Sequence, residues 1–341
     1  MKRFLHIAVL ALLAASCEIP FDLDQEGKPL IYVQAVAQND SVIVTPRYAT
    51  PVNGGSSAQL SALDLRLQIN GQAADLERLE GGRYRCKGSF KEGDRFDLSL
   101  KADGLEEASG STVLPRRPVV TDFAWKNVQV DTIHAVEVRI TLDQAPVEGE
   151  YYGIQISCET AVTYADGSDD AFTLPVTPGY VLSAADSGNM DLEDFMQVNY
   201  ADGQLGGKAF APITLLTQKQ FDGTLYKFYL DSFDSNILDR LRQALPQEVD
   251  DGSGLGGLDP NKIPVAMTTI YTFTLSRLST EFFLYGKAMY QSNFDFLSNM
   301  GLTPANFTYT NVSGGLGMVG ALSSATVGPI EIKKDWSYLL P

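Results

Sequence analysis

The densest run of chemically capable side chains is Asp186-Ser187-Gly188-Asn189-Met190-Asp191-Leu192-Glu193-Asp194, four carboxylates in nine residues. Hard oxygen ligands suit calcium, so Asp186, Asp191 and Asp194 are the residues that would hold such an ion. The spacing departs from an EF-hand loop, because Gly188 stands at the third position and no Glu at the twelfth; a solvated acidic loop is the competing reading. Asp166-Gly167-Ser168-Asp169-Asp170 is a weaker cluster of the same kind. Histidine chemistry is nearly closed off, since the chain has only His6 and His134. No three-histidine zinc site, His-Glu-x-x-His helix or Gly-x-Ser-x-Gly elbow can be assembled. Gly314-Gly315-Leu316-Gly317-Met318-Val319-Gly320 has the glycine content of a phosphate loop, but no Lys-Ser/Thr follows it. Glycines there suit a bulge or close backbone packing between sheets. Carboxylate pairs of the glycosidase type arise by chance in any acidic chain, and the helices are too few for an α/β barrel. The expectation is a protein that is not an enzyme and has no resident cofactor, with a lipid-anchored hydrolase as the third-ranked alternative.

Charge excludes another class. Lys and Arg total 26 against 42 Asp and Glu, a net charge of -16 over 341 residues. A phosphate backbone is repelled by such a field, and Arg116-Arg117 is the nearest thing to a basic patch, so nucleic acid is not expected as a partner.

Residues 1–16 combine Lys2 and Arg3, an apolar run from Phe4 to Leu13, and the small residues Ala14-Ala15-Ser16 ahead of Cys17. The run is shorter than the roughly 20 residues a spanning helix needs, so it reads as a signal peptide. It resembles a bacterial lipoprotein signal, with Ala14 where leucine is usual and Leu13 one place further out. That resemblance implies lipidation of Cys17 and a membrane tether; ordinary secretion with a free Cys17 is the alternative. Over residues 17–28, Glu18, Asp22, Asp24 and Glu26 precede the first base, Lys28. This acidic tether resembles the surface-export signals of Bacteroidota lipoproteins and implies an outer-membrane position facing the cell exterior. A solvated tether facing the periplasm is the other reading.

The elements that must position these residues are mostly strands. Phe96, Leu98, Leu100 and Ala102 alternate with Arg95, Asp97, Ser99 and Lys101, and Val136, Val138, Ile140 and Leu142 alternate with Glu137, Arg139, Thr141 and Asp143. These are half-buried antiparallel strands. Leu63, Leu65, Leu67 and Ile69 run into Asn70-Gly71, a hairpin signal. Cys86 and Cys158 share parity with apolar neighbours and read as buried thiols, a disulfide between them being the less favoured alternative. The fold class is mainly β. An immunoglobulin- or transthyretin-like sandwich over 29–117 closes at Leu114-Pro115-Arg116-Arg117-Pro118, and a larger β-rich domain over 118–341 follows. Two helical insertions are expected in it, near 233–246 and 279–300, where Ile237, Leu238 and Leu241, and then Phe283, Lys287, Tyr290, Phe294 and Leu297, follow helical spacing. Between them Asp250-Asp251-Gly252-Ser253-Gly254-Leu255-Gly256-Gly257 reads as a mobile loop. Tyr180, Phe195, Tyr200, Tyr290 and Phe294 are candidate contact residues for a ligand or partner, with burial in their own core as the rival role.

The lipidated cysteine, the acidic Asp22-Leu23-Asp24 stretch, Pro29-Leu30-Ile31-Tyr32-Val33-Gln34-Ala35, the close at Ser111-Thr112-Val113-Leu114-Pro115, Leu278-Ser279-Thr280-Glu281-Phe282-Phe283-Leu284-Tyr285 and the block Asn311 to Gly320 occur in order. Together they resemble a Bacteroidota family of outer-membrane lipoproteins of unknown function, encoded beside TonB-dependent receptors. Met318 and Val319 stand where a bulkier apolar-aromatic pair is usual. The resemblance implies an accessory to a TonB-dependent receptor that captures a small molecule, glycan or peptide for uptake, and it transfers no catalytic residue. A structural or adhesive surface protein is the alternative function.

Overall fold

The computed structural model describes residues 30–49, 63–130, 133–164, 167–176, 197–198, 213–231, 264–293 and 309–335. The expected tether, the helix near 233–246 and the loop 250–257 lie outside them. The first eight strands are β1 (Leu30–Ala37), β2 (Ser41–Ala49), β3 (Asp64–Ile69), β4 (Gln72–Ala74), β5 (Glu77–Arg78), β6 (Tyr84–Lys87), β7 (Arg95–Lys101) and β8 (Ala108–Val113). After Pro118 come β9 (Val120–Val130), β10 (Ile133–Leu142), β11 (Tyr151–Tyr164), β12 (Asp169–Val176), β13 (Gln197–Val198), β14 (Ile213–Leu216), β15 (Phe221–Asp222), β16 (Leu225–Asp231) and β17 (Pro264–Leu278). A helix, α1 (Thr280–Asn293), and the long strand β18 (Gly315–Asp335) complete the described chain. The protein is mainly β, as the alternation dictates, and the helix expected near 279–300 is present.

The turn at Asn70-Gly71 shows why local chemistry decides local shape. Both residues take positive φ, +52° and +78°, as a type I′ hairpin requires. The Asn70 side chain then receives Arg95 N and donates to Asp94 Oδ1, each at 2.9 Å, binding the turn to β7.

Ten strands form one sheet in the order β13-β14-β11-β17-β18-β1-β2-β6-β5, with β12 attached to β11. Strand β18 is its spine. Its first part pairs in parallel with β1, from Ile31↔Gly315 to Ala37↔Ala321, and its second part pairs antiparallel with β17, from Leu278↔Leu322 to Ala266↔Asp335. Two four-stranded sheets, β4-β3-β7-β8 and β15-β16-β10-β9, cover this spine sheet. Ile31, Val33, Ala35, Val319 and Ala321 meet Leu67, Phe96, Leu98 and Leu100 in one core. Ile154, Ile156, Tyr271, Phe273 and Leu275 meet Val136, Val138, Ile140 and Phe228 in a second. Register places both sets on one face of the spine sheet, because Ala35 opposes Val319 and Leu275 opposes Ala325, six residues along β18 and of the same parity. The opposite face carries α1, whose Phe282, Phe283 and Tyr285 pack on Val36, Leu278, Met318 and Leu322. Ser279 begins that helix: its hydroxyl accepts from Phe282 N at 3.3 Å and from Ala321 N at 3.1 Å, so one side chain caps α1 and fixes it to β18.

Between β8 and β9, Leu114 and Pro118 are buried, and Arg116 reaches Asp143 Oδ2 at 2.5 Å and Gln144 Oε1 at 2.7 Å. The chain passes from one sandwich to the next there, yet the first sandwich takes a strand from beyond that point, since β18 lies beside β1. Cys86 and Cys158 are buried thiols in separate cores, as their parity predicts, with no disulfide between them.

The glycine block at 314–320 makes the β1/β18 pairing sterically feasible. Gly317 has φ +110°, and a Cβ there would lie 1.9 Å from the Val33 carbonyl oxygen. Asn311 locks the same crossing: its amide donates to Val319 O at 2.8 Å and Ser111 O at 3.2 Å, and its carbonyl accepts from Val319 N at 2.9 Å. Gly317→Ala is expected to cost about 3 kcal/mol or more, because the clash moves backbone in addition to the strain at that φ. Gly71→Ala, at positive φ but with open space around it, should cost only about 1 kcal/mol. Denaturant unfolding of the two variants checks the contrast, and equal losses would show that the crossing is not tightly packed.

Candidate functional site

Of the candidate residues read from sequence, Cys17, Tyr180, Phe195, Tyr200, Phe294, Asp186, Asp191 and Asp194 lie outside the described residues. Tyr290 is on α1, half-buried against the core formed by the helix and the spine sheet. Among the described residues no group of three His, Cys, Asp or Glu side chains is placed to hold a metal. Space enclosed between Leu67, Phe96, Leu98 and Val319 is core packing rather than a cavity.

Two polar assemblies remain. The first lies where α1 crosses the spine sheet. Tyr32 on β1 and Tyr285 on α1 share a hydroxyl–hydroxyl hydrogen bond of 2.5 Å, and Thr112 on β8 donates to Glu281 at 3.3 Å. Burial raises the Tyr32 and Tyr285 hydroxyls above their ordinary range. Burial, then the charge of Glu281, pushes Tyr309 up to about 12. Neutral phenols this reluctant to ionise hold the helix in place and are poor proton carriers at neutral pH. Because the folded value exceeds the unfolded one, the stabilisation from Tyr309 is complete below pH 10 and is lost as pH rises through about 12. Unfolding followed by circular dichroism should therefore be flat up to about pH 10 and fall beyond it; a decline starting near pH 8 would contradict this burial.

The second assembly is the outer flank of the sheet β15-β16-β10-β9. Register lines up Lys126 on β9, Glu137 on β10 and Tyr229 on β16 in one row, with Arg139 and Lys227 side by side in the next. Alternation reads Glu137 as a solvent-facing residue, but its side chain is only 9% exposed. The physical reason is its neighbours. Arg139 Nε and Lys126 Nζ lie 3.0 and 3.4 Å from Oε1, and Tyr229 donates to Oε2 at 3.4 Å. Long side chains from three strands fold over the carboxylate, and Lys227 lies 5.7 Å from the Tyr229 ring centre. Oε1 nonetheless lacks a well-aligned hydrogen bond, so charge attraction does most of the compensation. At the edge of the same sheet Trp125 on β9 alternates with Lys126 onto the inner side, yet it stays 41% exposed. An exposed indole at the edge, with cations and a phenol hydroxyl on the flank, suits contact with another surface. Glu137→Ala should cost about 2 kcal/mol by removing the buried charge that two cations surround. Lys126→Ala, at a largely exposed partner, should cost under about 0.5 kcal/mol. Thermal unfolding compares them, and equal effects would mean the carboxylate is solvated.

This architecture, two small sheets packed on one face of a ten-stranded spine sheet with a single described helix on the other, defines a mainly β protein. The chain belongs to the family described as domain of unknown function DUF4249, whose match covers residues 17–327. No curated protein matches it. Among solved structures, the adhesin InvE of Yersinia pseudotuberculosis aligns at 10% identity and a TM-score of 0.18, over 73% of this chain and 55% of that one, so this chain spans about half the adhesin's length. The B domain of a biofilm-associated protein aligns at 9% identity and a TM-score of 0.19, over 87% of this chain and 85% of that one. Superpositions this poor carry no argument about fold or role.

Proposed function

We propose that this protein is a lipoprotein anchored through Cys17 in the outer membrane, facing the cell exterior, where it partners a TonB-dependent receptor and captures a ligand for uptake. The observation that carries the reading is the leader ending in Ala14-Ala15-Ser16-Cys17 with its acidic continuation. The family match begins at that same cysteine, so the sixteen residues before it fall outside what the members share. No described helix is long and apolar enough to cross a membrane, and the proposed attachment rests on the lipid at Cys17. The body supports docking rather than turnover: its exposed features are an aromatic edge and a cation-lined flank, and its buried phenols resist ionisation.

Replacing Cys17 with Ser is expected to release the protein from the membrane fraction, since several acyl chains at about 0.8 kcal/mol per buried methylene supply the attachment. Extraction of the wild-type lipoprotein in mild detergent should bring down a β-barrel receptor in stoichiometric amount. An unanchored wild type would overturn the localisation. An anchored protein that purifies without a receptor would leave the structural or adhesive role as the better reading.

A further inference from the structure

Strand β9 forms an edge of its sheet: β10 lies on one side, and no described strand pairs along the other. From Asp122 to Val130 it keeps an unbroken one-to-one register with β10, from Asp122↔Thr141 to Val130↔Ile133. It contains no proline and one lysine. Free edges are normally blunted by bulges, prolines or charge, because their open hydrogen-bonding groups recruit another strand. This one is long, regular and exposed, with Asp122, Ala124, Trp125 and Lys126 all open to solvent.

Its central residues are their own complement. In Asp122-Phe123-Ala124-Trp125-Lys126, a second strand of the same sequence running antiparallel with Ala124 opposite Ala124 sets Asp122 against Lys126 twice and Phe123 against Trp125 twice. Faces agree as well: Asp122, Ala124 and Lys126 share the outer side of the sheet, and Phe123 and Trp125 share the inner side. A two-fold axis normal to the sheet preserves faces, so register can slide only in steps of two. Either slide sets Asp122 against Ala124 or Val128 and leaves its charge unanswered. Within its own chain Asp122 has no ion-pair partner among the described residues, whereas Lys126 shares Glu137 with Arg139. Alanine at the axis, the smallest side chain in the run, lets the two backbones approach.

We propose that β9 pairs antiparallel with β9 of a second copy of this chain, joining two four-stranded sheets into one eight-stranded sheet about an axis through Ala124. The aromatic that is exposed in one copy is covered in the pair, where Trp125 lies beside Phe123 of the other copy. Opposite-charge pairs fix the register in the manner of other antiparallel ladders.

The test uses the full-length lipoprotein in its native membrane, with thiol oxidation followed by non-reducing electrophoresis. Directly opposed residues in an antiparallel pair have Cα atoms about 4.5–5.5 Å apart, within disulfide range. Ala124→Cys should give a disulfide-linked homodimer. Asn127→Cys, whose counterpart in the second copy faces Thr121 instead, should not; of the natural cysteines Cys86 and Cys158 are buried, Cys17 carries the proposed lipid, and wild-type protein run in parallel should show no linked dimer. Adding Asp122→Lys to Ala124→Cys replaces two attractive pairs by two repulsive ones at an exposed, unpartnered position, and should cut the linked fraction by about tenfold. Absence of a linked dimer in the Ala124→Cys variant would overturn the proposal, as would equal linking at position 127, linking indifferent to Asp122→Lys, or linkage of the introduced thiol to a different protein.

Discussion

The parallel pairing of β1 with β18 is the constraint on which the rest depends. It brings together residues nearly three hundred apart, as in Ile31↔Gly315, and it is the route by which the first sandwich completes its inner layer. Without β18, the layer β1-β2-β6-β5 would end at β1, and Ile31 and Val33 would lie on an open edge of the first core. Parallel pairing of distant segments carries a large loop-closure cost before any contact forms. The sequence offsets that cost at one crossing, where glycine takes a backbone angle other residues resist and Asn311 satisfies three backbone groups from two sheets.

Because both small sheets pack on one face of the same spine, the two halves are not free to swing as beads on a linker would. Leu114 and Pro118 are buried at the passage between them, and α1 lies over the opposite face, touching β1, β14, β17 and β18 at once. Ser279 makes the point at atomic scale, since its single oxygen caps the start of the helix and receives an amide from the spine.

Much of the fold is legible from period-two alternation and turn chemistry. The strands at 95–101 and 133–142, the Asn70-Gly71 hairpin and the helix after Ser279 are local objects, set by residues within a few places of each other. What alternation does not carry is who sits beside whom. Nothing in Pro29 to Ala37 states that its neighbour lies past residue 314, and a domain boundary drawn at Leu114–Pro118 follows the chain without seeing the shared sheet. Glu137 illustrates the same gap within a site. Its parity reads as solvent, and it becomes buried because Lys126, Arg139 and Tyr229 from three strands converge on it, a fact of register between strands. Tyr290 illustrates the converse, since helical spacing identifies its face correctly while the occupant of that face is the protein's own sheet.

The electrostatics follow from how the chain distributes a net charge of -16. Arg66–Asp64, Arg95–Asp97 and Lys333–Glu331 are exposed ion pairs, and such pairs contribute little to stability. Arg116–Asp143 and Arg277–Glu150 are half-buried, and the Glu137 row holds the most deeply buried carboxylate of these pairs, with three cations on one flank of an acidic protein. Attraction to the remaining acids would favour scattering those cations, and burial of a carboxylate beneath them is costly unless the arrangement is held by strand register. The convergence therefore depends on the sheet, and through the packing of that sheet on β11 and β17 it depends on the spine. A flank that is polar, ordered and exposed at once is thus a product of strand register, held in place by the packing of its sheet on the spine.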